Sequence, residues 1–574
     1  MWKKRDNLTT VEDVVQRNSG KTLEELLHPK NDSEIVHLED AAKLIRSAIH
    51  ERKHITVIGD YDADGICGSA ILYKMLSALG SRPTVRLPRR FSEGYGFNFA
   101  MLDEVSDGLL ITVDNGIAAV DEITEAKRRG IQVVILDHHL PRDDGILPPA
   151  DVTVNPHVYN NGGFEDFCGA GLAYRLAELL LQDGKQKKEL IILAAIATVA
   201  DVVPLIDDNR SIVMEGLRAL KYNREQNGLQ ILIERLGLFD VDESDISFTI
   251  APVLNAAGRM LNDGADKAFH LLIDQNELDT KAKELDIINA RRKEQQVEGL
   301  EIAEQIIAED CLFGDPILVV CSGCCSGRPA IPEGLVGILA GKLSEKYKVP
   351  AIILTDSDKA GILKGSGRSY GNINLKELLD QASELLVAYG GHPKAVGLSV
   401  SENDVSALRT FLTERLSDEE QEEEGEVSYY DLSIKTEELE STIERVLKYA
   451  PYGEGNPRPV LRIEDQYLVP RGSYHYSFMG KGNEHIKLFC GRNTVAVGFG
   501  MGEQFVNLGE PIRLTMTGTV FVNKYIDRIG RHSKERQIRL KDIERASSIK
   551  NASPLLASIY ANLEALGGTC GDGC

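Results

Sequence analysis

From Ile55 onward, short apolar runs alternate with amphipathic stretches, and no other feature limits the fold of this chain so strongly. Residues 55–58, 109–113, 133–136 and 152–154 read as strands. Residues 68–79, 120–129 and 171–181 carry apolar positions at helical spacing. Continuous apolar strands joined by helical crossovers predict a parallel, doubly wound sheet. Residues 189–200 predict a buried helix ending at Asp201, and 276–309 one long helix. A second α/β pattern follows, with strands over 317–320 and 351–354 around a helix over 334–347. Residues 416–426 hold seven acidic and no basic residues, a solvated linker. Over 455–545, many short strand signals separated by Gly, Asn and Pro predict a small β-barrel. The expected domains are a helical lead-in (1–50), a first α/β domain (51–275), a connecting helix (276–310), a smaller α/β domain (311–415), the linker (416–427), the barrel (428–548) and a tail (549–574).

Charge and composition narrow the function. A net charge of −23 over 574 residues repels nucleic acid and acidic lipid unless cations are gathered locally. The longest apolar run, 190–200, is too short to span a bilayer, and the first residues lack a signal core, so a soluble, cytoplasmic protein is expected. Nine cysteines do not make a disulfide framework. From Arg471 to Arg545, however, 13 Lys and Arg face 7 Asp and Glu, with Tyr474, Tyr476, Phe478, Lys487, Phe489, Phe521, Lys524 and Tyr525 interleaved. Two readings stand on those residues: an ordinary barrel core under surface lysines, which composition alone favours, or a stacking platform for a single strand.

The chemistry gathers at strand ends. Gly59-Asp60-Tyr61-Asp62-Ala63-Asp64-Gly65 follows the first strand, Asp114-Asn115-Gly116 the second and Asp137-His138-His139 the third, while Asp201 ends the buried helix. Open α/β sheets bind ligands beyond the carboxyl ends of their strands, so residues spread over some 140 positions can converge. Carboxylates crowded with imidazole imply neutralising divalent ions of the Mn²⁺ or Mg²⁺ kind, and their number implies two. Alone, Asp-His-His reads as a surface loop and the Asp-x-Asp-x-Asp run as a calcium-like turn; together, each at a strand end, they read as one site.

These motifs, in this order, resemble the DHH phosphoesterase family, and in particular its RecJ branch of single-strand-specific 5′-to-3′ exonucleases active in DNA repair and recombination. The resemblance extends to 90–96 (Arg-Phe-Ser-Glu-Gly-Tyr-Gly), 254–259 (Leu-Asn-Ala-Ala-Gly-Arg), 364–369, 390–393 and 537–543. It implies that Asp62 and Asp114 hold one ion with Asp60 assisting, and that Asp64, Asp114, His138 and Asp201 hold the other. Catalytic roles fall on His139, which would touch the scissile phosphate, with Asp114 and Asp137. Ser366 and Arg368 would bind the terminal 5′ phosphate, with Arg90 a second cationic contact (Arg89 leaves that register open by one), Arg259 another and His392 a backbone contact. It also implies that the smaller α/β domain is a substrate-binding domain and the barrel an OB-fold, and makes nucleic-acid binding the better reading of that barrel.

Two departures stand out. Ile58 occupies a position where many relatives carry His, and Ile331-Pro332-Glu333-Gly334 replaces the usual Trp-His-x-Gly. Cys321, Cys324 and Cys325 form one incomplete cluster; a four-cysteine zinc site would need Cys570 or Cys574, and inert thiols are the plainer reading. The expected ligand is single-stranded DNA, met by a monomer, with a single-strand-binding protein or helicase as candidate partners and no membrane. A phosphodiesterase for oligoribonucleotides or cyclic dinucleotides, and a non-catalytic scaffold, are the competing functions.

Overall fold

The computed structural model describes residues 2–94, 96–142, 144–223, 225–324, 327–418, 427–526 and 529–546. After β1 (Trp2–Lys4), the first domain is built on β2 (Ile55–Ile58), β3 (Thr84–Arg86), β4 (Leu109–Val113), β5 (Gln132–Leu136) and β6 (Val152–Val154). All pair in parallel, in the order β3-β2-β4-β5-β6. The chain leaves β2 to one side for β3 and returns on the other for β4, so the crevice between β2 and β4 is the topological switch point. β3, short and only partly buried, is the strand that hydrophobic patterning did not reveal.

The helix Ala63–Ala78 begins earlier than its apolar residues indicate, because Asp62 caps it by accepting from the backbone N–H groups of Asp64 and Gly65. It is buried on nearly every side, against the helices Gly169–Leu180 and Gly184–Ala200.

The helix Leu278–Glu309 runs 32 residues, about 48 Å at 1.5 Å per residue. Ala282, Leu285 and Ile288 belong to the first domain's core. Ala303, Ile306 and Ile307 pack under the second sheet with Leu318, Val320 and Leu339. One rigid element therefore spaces the two domains. The second sheet comprises β7 (Leu318–Cys321), β8 (Ala351–Asp356), β9 (Ile362–Arg368), β10 (Ala388–His392) and β11 (Ala395–Ser401), in the order β10-β11-β9-β8-β7, with only β7 and β8 parallel.

Past β12 (Ser428–Tyr430), the C-terminal domain is a largely antiparallel sheet of β13 (Leu432–Lys435), β14 (Val460–Tyr467), β15 (Tyr476–Met479), β16 (His485–Phe489), β17 (Thr494–Gly498), β18 (Arg513–Ile526) and β19 (His532–Arg545). Their order is β13-β14-β18-β19-β17-β16-β15. The lead-in expected as a separate unit over 1–50 is divided between two domains instead. β1 pairs with β12, and Val11, Val14, Val15 and Leu26 complete the barrel's core beside Leu439, Ile443 and Val446. The helix Leu38–His50 packs on the first domain through Leu38, Ala41 and Ile45. An apolar helix face must be covered, but nothing local says that its cover lies more than 400 residues away.

Candidate metal centre and nucleic-acid cleft

Beyond β2, Asp60 is fully buried and Asp64 is 2% exposed. Asp60 Oδ1 accepts from Tyr61 N at 2.8 Å, while its Oδ2 has no hydrogen-bond partner. Asp64 accepts from the backbone N–H groups of Gly169 and Ala170 at 2.6 and 2.7 Å, which fixes its carboxylate at that helix start. Asp114, past β4, adopts φ 60°, a left-handed conformation that costs a non-glycine residue energy and recurs where a site dictates the geometry. Two glycines permit the crowding. A Cβ on Gly65 would lie 2.4 Å from Asp60 N, and one on Gly169 2.6 Å from Asp114 Cβ.

From the end of β5, His138 Nε2 stands 3.2 Å from Asp114 Oδ1, 3.6 Å from Asp201 Oδ2 and 3.8 Å from Asp64 Oδ2. Ligand atoms of Asp60, Asp62 and Asp114 gather within 4.8 Å, as do those of Asp64, His138 and Asp201, and those of Asp114, His138 and His139. Asp114 thus stands in two of these groups, one with Asp60 and Asp62 and one with His138 and His139, while Asp64, His138 and Asp201 form the third.

Burial, then the charge of Asp62, pushes Asp60 well above the usual carboxylate range; burial and Asp64 do the same to Asp114, raise Asp62, and hold Asp201 up at about 8. Such a set is unfavourable as ions unless cations neutralise it, and the unpartnered Asp60 Oδ2 fits a metal ligand. Burial lowers His138, leaving a neutral ring able to coordinate. His139 moves the other way. Burial opposes its charge, but the hydrogen bond and charge of Asp137 raise it to about 9.

Asp137 itself is saturated. It accepts from His139 Nδ1 at 2.8 Å and from the backbone N–H groups of Ile117, His138 and His139. The structure therefore gives Asp137 an orienting contact to His139 and no place in a metal cluster.

A cavity of about 610 Å³ opens between the two α/β domains, lined by Arg90 and Arg259 from the first and by Glu333, Lys364, Ser366 and Arg368 from the second. Arg90 lies over the Tyr61 ring at 4.7 Å, which favours its register over that of Arg89. Arg368 Nη1 donates to Ser366 Oγ and Gly367 O, both at 2.9 Å. Among the described residues, Arg90, Arg259 and Arg368 have no carboxylate partner, although burial lowers Arg368 and, with Arg90 beside it, brings Arg259 to about 10. Unpaired, half-desolvated guanidiniums suit a phosphate.

The DHH family N-terminal domain matches residues 54–200, the DHHA1 domain 318–418 and the RecJ OB domain 430–542. The chain is 31% identical over 478 residues to the single-stranded-DNA-specific exonuclease RecJ of Escherichia coli K12, covering 77% of this chain and 80% of that one. The chain belongs to the RecJ family. The RecJ of Bacillus subtilis 168 is 33% identical over 89% of this chain, which spans 63% of that relative's length. The crystal structure of Thermus thermophilus RecJ with Mn²⁺ superposes with a TM-score of 0.75 at 27% identity, covering 97% of this chain and 80% of that one. The Mg²⁺ complex gives 0.69 at 25% identity.

Within this RecJ-family chain the barrel candidates separate. Tyr476 and Phe478 pack on Phe505, with ring centroids 4.8 and 6.3 Å away, and serve the core. Lys487 pairs with Glu535 at 2.7 Å. Lys524, 8% exposed, is held by Asp242 and Asp245 of the first domain. Only Tyr474 (72% exposed) and Tyr525 (43%) of those six remain open. Interleaved charge and aromatics could not distinguish interface and core from binding surface.

His392 is exposed at the end of β10 and is not among the residues lining the cavity. Ile58 packs in an apolar cluster with Leu110 and Ile135. Cys321 is disulfide-bonded, against the expectation of inert thiols, and Cys324 is free and exposed. Cys325, Cys570 and Cys574 lie outside the described residues.

Sequence reasoning missed Arg292, a half-buried cation on the long helix near Arg259. It also missed the role of Asn255, whose Oδ1 accepts from Ala63 N at 2.7 Å and ties the 254–259 motif to the acidic loop.

Proposed function

We propose that this chain hydrolyses phosphodiester bonds of single-stranded DNA from the 5′ end, with two divalent ions, Mn²⁺ or Mg²⁺. The observation that carries this reading is the junction of a buried carboxylate set, including an unpartnered oxygen on Asp60, with a cleft lined by unpaired arginines. Asp60, Asp62 and Asp114 would hold one ion, and Asp64, Asp114, His138 and Asp201 the other. Bound there, such ions lower the pKa of a water and offset negative charge at the reacting phosphate.

The chain's own residues do the rest. Arg368, Ser366 and Arg90 hold the terminal phosphate, with Arg259 behind them. Arg90 sits on Tyr61, between Asp60 and Asp62, so the captured end lies next to the metal site. Asp137 orients His139 by accepting from its Nδ1–H, and the imidazole so held would donate to a non-bridging or leaving oxygen. The rigid 32-residue helix fixes the distance between the two domains and hence the length of strand between captured end and cut.

The barrel favours a polymer over a cyclic or very short substrate, and the complete ligand set argues against a scaffold without activity. Monomeric state, a single-strand-binding protein or helicase as partner, and cytoplasmic location remain part of this proposal; among the described residues no helix is long and apolar enough to cross a membrane. Incubating 5′- and 3′-labelled single strands and duplexes with Mn²⁺ tests the reading. Loss of single strands from the 5′ end, abolished by Asp114→Ala, is expected. Loss from the 3′ end, or undiminished activity of the variant, would refute it.

A further inference from the structure

Next to Asp201, the first domain meets the barrel. Asp201 is followed by Val202, a β-branched residue at φ 59° that is nonetheless 63% exposed. Val202 lines a pocket of about 220 Å³ together with Phe248, Tyr452, Arg458 and Phe521.

The rings and guanidiniums around this pocket form a ladder that crosses the domain boundary. The Arg539 guanidinium lies 5.5 Å from the Phe248 ring centroid and 4.0 Å from that of Phe521. Arg458 follows at 4.2 Å from Phe521 and 5.1 Å from Tyr452. Arg458 is anchored by Glu243, whereas Arg539 has no carboxylate partner among the described residues and its Nε makes no hydrogen bond. Phe248 caps the ladder. It is 65% exposed and sits in a π-helical turn, Ile246–Ile250, a distortion found often at functional sites.

An exposed aromatic, an unpaired cation on its ring and, next to Asp201, an exposed aliphatic at a strained position are each unfavourable for folding alone. Together they offer what an unpaired nucleotide needs: a flat apolar face for the base and a cation for the adjoining phosphate.

We propose that Phe248, backed by Arg539 and flanked by Val202, is a base-stacking subsite that takes one nucleobase of the strand on the 3′ side of the cut and hands that strand toward the barrel. This rests on the exonuclease reading, because the 5′ end is placed in the arginine cleft. Arg90 touches the Asp60–Asp62 side of the metal centre and Val202 adjoins Asp201 on the other, so the strand crosses both clusters before it meets Phe248. A ring already stacked on a cation is pre-organised, since its far face can take a base without reordering the side chain.

The test is an abasic scan. Single strands of fixed length with a 5′ phosphate, each with one abasic nucleotide at successive positions, are digested with Mn²⁺ by the full chain, by Phe248→Ala and by Phe248→Trp, and the rate of the first cleavage is read. For the unmodified protein, one position near the cut should lower kcat/KM between about fivefold and a hundredfold, the range of one base–aromatic stack. Phe248→Ala should lower kcat/KM similarly on the intact strand and abolish the dependence on position, whereas Phe248→Trp should keep it. Positional dependence that persists unchanged in Phe248→Ala, or its absence in the unmodified protein, would overturn the subsite. Failure of the unmodified protein to degrade any single strand from the 5′ end would refute the exonuclease reading itself.

Discussion

Arg210 is 1% exposed, and no acidic side chain among the described residues pairs with it directly. From the helix Asp207–Tyr222 of the first domain, its guanidinium donates to the carbonyls of Leu26, Tyr449, Ala450 and Pro451. It thereby joins the N-terminal segment, the barrel domain and the first domain through backbone acceptors alone. Replacing it with Met keeps much of the apolar stem but leaves the carbonyls of Leu26, Tyr449 and Ala450 short of a donor, at about 1–3 kcal/mol for each that stays buried, while Pro451 O keeps Asn456 Nδ2 at 3.0 Å. Against this stands the burial of the charge, which brings the guanidinium from 12.5 down to about 10, an unfavourable contribution of about 3 kcal/mol. Some carbonyls will recover water, so the net loss expected for Arg210→Met is about 2–4 kcal/mol. Thermal unfolding should show a transition lowered by roughly 10 °C. Hydrogen exchange should quicken first in the helices Val11–Ser19 and Leu439–Lys448 and leave the β2–β4–β5 core protected. A shift under about 2 °C, or uniform loss of protection, would refute the idea that this one side chain couples the domains.

Gly65→Ala should abolish nuclease activity and Mn²⁺ binding together while the rest of the protein stays folded, as read by activity, calorimetry and circular dichroism, because its Cβ collides with Asp60 backbone. Arg368→Lys should lower kcat/KM on 5′-phosphorylated strands by about ten- to a hundredfold and on 5′-hydroxyl strands much less, since an ammonium cannot bind phosphate in the bidentate manner of a guanidinium. Asp240, held down at about 2 by hydrogen bonds from Lys221 and from Lys534 of the barrel, should couple the domains above pH 4. The folded-state value lies below the unfolded one, so its contribution is present above about 3.8 and lost as pH falls toward 2. The stability difference between the unmodified protein and Asp240→Asn, small because the site is partly exposed, should shrink over that window in acid titrations followed by denaturant.

The first domain was legible because continuous apolar strands and strand-end acids are local signals: the Asp60–Asp64 run, Asp114, His138 and Asp201 lie close together in space, and a parallel sheet dictates that meeting place. The division of residues 1–50 between domains was not legible, since the partners of β1 and Val11 are set by contacts hundreds of residues away. Nor was the fate of Lys524, whose charge suited DNA as well as it suited Asp242 and Asp245. Phe248 carried no signal either. A lone aromatic gains meaning only when Arg539, almost 300 residues later, comes to lie on its ring. Arg292 was hidden for a related reason: a basic residue on a charged helix looks solvated until Arg259 is seen beside it.

The most direct test of the central claim is anomalous diffraction from crystals grown in Mn²⁺. The account predicts two peaks about 3.5–4 Å apart, one bounded by Asp60, Asp62 and Asp114 and the other by Asp64, Asp114, His138 and Asp201, with at least one lost in Asp114→Ala. Ions bound elsewhere, or these carboxylates facing one another with no ion among them, would contradict it.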